Sequence, residues 1–312
     1  MREEVRRSLL PLDELQQVLT DLENGSFTLL TDSELRDKIQ AIHNGFVIQA
    51  PILSPGTLIY RAVKVSQRPA HKSRISYPPI EMVTTNGRLN RAGEGMFYGS
   101  FHRFASCLHE CSCNVGDFFA VSAWLTTEKM IFNHLGYSNA VLRELKSKRD
   151  LPFFARTQEE PERNRLFREW QARVFSKRVP PDQTHLYRLP IALKDFALAR
   201  IVQTDPEAPD FAFSGVIYPS VAMWLLEDNV AILPAEVDSK LALCEVILLS
   251  LDAIKEIRNE DGSIEKVETT VKTYEFARAD LNGNLIWGQK SQVIPQPGTD
   301  ASERTPQVLP AE

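Results

Sequence analysis

The run GTLIYRAV (residues 56–63) follows Ser54-Pro55, and Ser54-Pro55-Gly56 reads as a turn leading into an apolar, β-prone segment. The segment is therefore a strand, yet it carries Tyr60-Arg61, an aromatic ring followed by a permanent cation. A guanidinium this close to buried backbone asks for a fixed anionic partner, because an unpaired buried charge is very costly. That partner is a carboxylate or a bound phosphate. From Arg61 to Arg103 there are eight Lys or Arg against two acids, Glu81 and Glu94. Such a stretch is either a solvated basic loop or a field that draws in an anionic ligand.

The whole chain has 312 residues, a net charge of −5, 43% hydrophobic and 25% charged residues. These values fit a soluble globular protein with one large domain plus attachments, or two domains. The net charge argues against a general nucleic-acid binder. The beginning, MREEVRRSLLPLDELQQ, lacks the apolar run of a secretory signal, and LALCEVILLSL is too short to span a bilayer and contains Glu245. A cytoplasmic protein with no membrane contact is the expectation.

Of the four cysteines, three crowd into CLHECSC as Cys107, Cys111 and Cys113. The spacing lacks the paired knuckles of structural zinc, so reduced, buried thiols are expected and no metal. There is no P-loop, and Gly87, Gly93 and Gly95 do not fit G-x-G-x-x-G, which disfavours a Rossmann dehydrogenase.

Helical spacing predicts a helix over 12–23 ending at Asn24-Gly25, and a second that is capped by Thr31-Asp32-Ser33-Glu34 and ends at Asn44-Gly45. Residues 1–48 are thus a helical extension. Strand-like sequence follows from Phe46 to Val65, then a proline-bearing loop over 66–86, then a helical pattern through Glu110. The region 126–185 reads as helical, and its stripe of Leu166, Phe167, Trp170, Val174 and Phe175 is a core face or, alternatively, a surface for a second copy. From Tyr187 the segments YRLPIAL, FAFSGVIYPS and NVAILP read as strands. Asn259-Glu260-Asp261-Gly262 and Asn282-Gly283 signal two hairpins, and residues 289–312 a disordered tail.

Three apolar runs each end in one polar residue of distinct chemistry: Arg61 in IYRAV, Glu110 in ASCLHEC and Ser220 in GVIYPSVAM. With GRLN (87–90), MFYGS (96–100) and NVAIL (229–233), their order over about residues 56–235 resembles the RES domain family, named for an Arg, a Glu and a Ser. Leu89 stands where that family commonly has tryptophan, and Arg91-Ala92 replaces a proline-containing continuation. The long interval between Glu110 and Ser220 suggests an inserted helical region.

The resemblance implies an α+β fold like that of the ADP-ribosyltransferases, with split, curved β-sheets over residues 49–288 and NAD held in the cleft. It implies an NAD-consuming, toxin-like enzyme that breaks the nicotinamide–ribose bond, either a glycohydrolase or a phosphorylase. The alternatives are a protein ADP-ribosyltransferase and a non-catalytic NAD-binding interaction protein. NAD is then a substrate, with no prosthetic group. Expected partners are an antitoxin that covers the active site and carries a helix-turn-helix part, or a second copy of the chain.

The residue types suit that chemistry. A carboxylate, Glu110, stabilises an oxocarbenium-like ribose. The planar fork of Arg61, and secondarily of Arg88, matches a diphosphate. Ser220 exchanges hydrogen bonds with a ribose hydroxyl or the carboxamide. Tyr98, ahead of Tyr60, stacks on nicotinamide. Asn229 holds the Ser220 loop. His102 and His109 are structural or exposed rather than bases.

Overall fold

The computed structural model describes residues 9–46, 50–101, 104–111, 113–138, 161–177, 179–199, 212–220, 228–262, 264–291 and 308–309. Helices α1 (Leu12–Glu23) and α2 (Asp32–His43) precede strands β1 (Ile52–Leu53), β2 (Leu58–Lys64) and β3 (Phe97–Ser100). Helix α3 (Phe104–Glu110), strands β4 (Phe118–Thr126) and β5 (Met130–His134), and helices α4 (Glu162–Ser176) and α5 (Arg188–Ala197) come next. The remainder is β6 (Gly215–Pro219), β7 (Asp228–Ile232), α6 (Pro234–Lys240), β8 (Leu241–Arg258), β9 (Ile264–Ala279), β10 (Leu285–Gln289) and β11 (Val308–Leu309). The class is α+β, with parallel and antiparallel strand pairs.

The chain divides into two compact units, neither continuous in sequence. The helical unit takes Met1–Pro51, Val83–Glu94 and Ile131–Val221, so the N-terminal helices join the middle region instead of standing alone. Leu15, Leu19 and Leu22 of α1 are buried at helical spacing, as are Leu35, Ile39 and Ile42 of α2. Thr31 and Glu34 form a reciprocal capping box on α2, with the Glu34 amide donating to Thr31 Oγ1 at 3.2 Å and the Thr31 amide donating to Glu34 at 2.7 Å. Gly25 adopts φ 96°, a left-handed turn that ends the first helix at little cost only for glycine.

In this unit α1 packs on α4 and α2 on α5. Phe167, Trp170, Val174 and Phe175 of the predicted stripe are buried while Leu166 is half-buried, so the stripe is a core face. Each large apolar side chain removed from water contributes about 1.5–3 kcal/mol. Two readings of the sequence need correction here. Residues Met130–His134 form a strand, paired in parallel with β6, where 126–185 reads as helical. Residues Arg188–Ala197 form a helix where YRLPIAL reads as a strand; Pro190 sits in the first helical turn, where no backbone donor is needed. Residues 139–160 lie outside the described residues.

His43 meets Phe46, Phe167 and Phe196 at ring separations of 5.5, 5.0 and 5.9 Å, and its Nε2 is buried without a hydrogen-bond partner among the described residues. Burial pulls its pKa down to about 4. The unfolded chain binds this proton below its ordinary pKa near 6.5, whereas the folded chain resists it until about 4. Stability is therefore complete above pH 6.5 and falls as pH drops toward 4, by about 3 kcal/mol at the limit. Urea unfolding across that range checks this, and His43→Phe should flatten the slope.

The second unit takes Ile52–Met82, Gly95–Met130 and Ala222–Glu312. Its sheet runs β7-β3-β2-β4-β8-β9-β10, every neighbouring pair antiparallel. The β8–β9 hairpin forms as its turn residues predict, and β10 follows the Asn282-Gly283 turn. The first half of β8 is largely buried, whereas Asp252–Glu256 are exposed on both faces. Gln289 closes β10, and Val308–Leu309 pair with Val271 and Lys272; residues 292–307 and 310–312 of the stretch read as a tail lie outside the described residues. One face of the sheet presents Tyr60, Ala62, Phe119, Val121, Ile247 and Leu249, and α3 covers it with Cys107 and Leu108. Among the described residues no helix is long and apolar enough to cross a membrane.

Candidate functional site

Side chains alternate along β2, so Tyr60 and Ala62 enter the core while Arg61 is directed away from it. Strands β2 and β3 share a single register pair, Tyr60–Ser100. Arg61 works in the divergence beyond that pair: Nη1 donates to the Tyr98 carbonyl at 2.8 Å and Nε to the Ser76 carbonyl at 3.0 Å. Its guanidinium carbon lies 5.3 Å from the centre of the Phe97 ring, a cation–π contact. The half-buried arginine is thus held in one plane by backbone oxygens and an aromatic face. Sequence reading missed Ser76 and Phe97 as its partners; the available signal was the aromatic pair Phe97-Tyr98 on a strand beside β2.

Glu110 ends α3 and is exposed. Its Oε1 accepts a hydrogen bond of 2.6 Å from Nδ2 of Asn229, which is 1% exposed at the start of β7. A carboxylate only accepts, so this contact fixes the amide with its Nδ2 toward Glu110. The opposite atom, Asn229 Oδ1, is buried with no partner among the described residues. Asn229 pairs in register with Ser100, and Ser100 Oγ lies 2.9 Å from Cys107 Sγ. Asn229 therefore positions Glu110; residues 221–227, the loop after Ser220 that Asn229 was expected to hold, lie outside the described residues.

The thiols under α3 are reduced. Burial pushes Cys107 up to about 12 and Cys111 up to about 11, so both are protonated at neutral pH. Beside burial, Arg61 pulls the Cys111 pKa down and Glu110 pushes it up. Among the described residues no group of three or more His, Cys, Asp or Glu could hold a metal ion. His109 hydrogen-bonds Thr269 at 2.9 Å, and its pKa is lowered by burial against the opposing pull of Glu110. His102 lies outside the described residues.

Tyr60 is 8% exposed within the core cluster, and burial raises its pKa, so its ring is core and not a stacking surface. Tyr98 is half-buried and remains the aromatic candidate. Arg88 is corrected outright. In the helical unit it donates to the Phe175 and Lys177 carbonyls and lies over the Tyr187 ring, capping the end of α4 instead of offering its fork to a diphosphate. Ser220 is fully buried after β6, also in the helical unit. The antiparallel unit therefore holds Arg61 on the Tyr98 carbonyl and Glu110 on the Asn229 amide, and Arg88 and Ser220 belong to the other unit.

No family model, no curated protein and no solved structure matches the chain.

Proposed function

We propose that the antiparallel unit carries an NAD-consuming site of the ADP-ribosyltransferase-like kind, which cleaves the bond between nicotinamide and its ribose. The observation that carries this reading is the exposed Glu110 carboxylate, gripped at 2.6 Å by a buried amide of the neighbouring sheet. A carboxylate so oriented suits the cationic ribose that develops as the glycosidic bond breaks. The bonding pair leaves with nicotinamide, and water or phosphate adds its oxygen to the anomeric carbon. Arg61, immobilised by the Tyr98 and Ser76 carbonyls, supplies fixed positive charge toward the diphosphate, and the Tyr98 ring stacks on the leaving base. The part of Ser220 in this reading rests on the resemblance alone. An enzyme that destroys NAD threatens its own cell, so the reading includes a protein inhibitor over the site.

Incubating the purified protein with NAD tests it. Free nicotinamide should appear, with ADP-ribose as the second product in water or its phosphate ester when phosphate is required. Absence of nicotinamide under both conditions overturns the reading.

A further inference from the structure

The helical unit contains a cavity of about 220 Å³ between α2, the 86–92 segment and α5. Its floor is apolar, made by Leu35, Ile191, Ala192 and Phe196. Three guanidiniums line it: Arg36, Arg91 and Arg188. Two are already committed. Arg91 meets Asp195 fork to fork at 2.5 and 3.2 Å and Glu94 at 3.2 Å, and the buried Lys194 ties Glu94 and Asp195 at 3.2 and 2.9 Å. Arg188 donates to Asp32 at 2.7 Å and to the Leu30 carbonyl at 2.8 Å. Among the described residues Arg36 alone of the three has no side-chain partner. Four cations, Arg36, Arg91, Arg188 and Lys194, thus face three carboxylates, Asp32, Glu94 and Asp195, and the unmatched charge is Arg36.

An exposed arginine without a partner is ordinary; one beside the apolar floor of a cavity whose other lining charges, Arg91, Arg188, Asp32 and Asp195, are locked in ion pairs is a preformed anion acceptor. The volume lies below the roughly 300 Å³ at which sites for larger ligands begin. We propose that this cavity binds a small organic anion, its apolar body on the Leu35–Ile191–Phe196 floor and its charged head on Arg36. The paired Arg91 and Arg188 hold the rim rigid, which lowers the ordering cost of binding. The site is independent of the NAD reading, since none of its lining residues is used there.

Calorimetric titration with benzoate, neutral benzamide and inorganic phosphate tests this on the full chain. Benzoate should saturate below about 1 mM, at least about tenfold tighter than either control, since a charge-assisted hydrogen bond and apolar contact act together. Arg36→Ala, at an exposed helix position outside the capping box, should weaken benzoate by about 10- to 100-fold and leave benzamide unchanged. Glu110→Ala should leave benzoate binding intact, so this site can fail or stand apart from the NAD reading. Benzoate that does not saturate, binding indifferent to Arg36→Ala, or phosphate that binds as tightly as benzoate would each overturn the proposal.

Discussion

Glu110→Ala should lower nicotinamide release from NAD by at least about 100-fold, the scale seen when a group that stabilises transition-state charge is removed. Glu110 is exposed, but its loss leaves the buried Asn229 Nδ2 without this acceptor, so the unfolding free energy in urea should fall by about 1–3 kcal/mol while the chain still folds. Glu110→Gln separates charge from contact. Its amide oxygen still accepts from Asn229 Nδ2, but it carries no negative charge to set against a cationic ribose. A comparable loss in Gln and Ala variants assigns the effect to charge. Activity above half the parent level in the Ala variant removes Glu110 from catalysis.

Gly99→Ala should destabilise the protein by about 3 kcal/mol, at the upper end for overpacking. A Cβ at Gly99 would meet Ile59 Cγ2 at 2.7 Å, the Tyr60 carbonyl oxygen at 2.9 Å and Phe97 Cε1 at 3.1 Å. Two of these are side-chain atoms, but the carbonyl belongs to the β2 backbone and cannot turn aside. Gly99 lies between Tyr98, whose carbonyl holds Arg61, and Ser100, the register partner of both Tyr60 and Asn229. The substitution should therefore also widen the β2–β3 divergence and reduce activity in the fraction that remains folded. A urea midpoint equal to that of the parent would refute the close approach of these strands.

The elements legible in the sequence are those whose signals are local. The stripes Leu15-Leu19-Leu22 and Leu35-Ile39-Ile42, the Thr31 cap and the two hairpin turns each specify their structure within a few residues. Helix α5 was illegible because Leu189 to Lys194 are buried on every side, which leaves no polar face to mark a helical period. Strand β5 was obscured by Glu128 and Lys129 just before it, which lend a charged, helical look to a segment that buries Met130 and Phe132.

Of the site, Arg61 and Glu110 could be singled out because a charge at the end of an apolar run is conspicuous. Arg88 shows the limit of that signal. An arginine after a glycine turn looks the same whether it awaits a phosphate or caps helical carbonyls 87 and 89 residues away. The Glu110–Asn229 contact spans 119 residues, and nothing local in either segment encodes it.

The β8 strand, 18 residues and so about 60 Å from end to end, is one ladder in two environments. Its first half is anchored by the packed sheet. Beyond Leu251 it has only its partner strand, with pairs such as Lys255 opposite Glu268. The hairpin is therefore graded in rigidity along its length: its outer rungs can fray and re-form as a local unit while the strands that carry Arg61 stay closed.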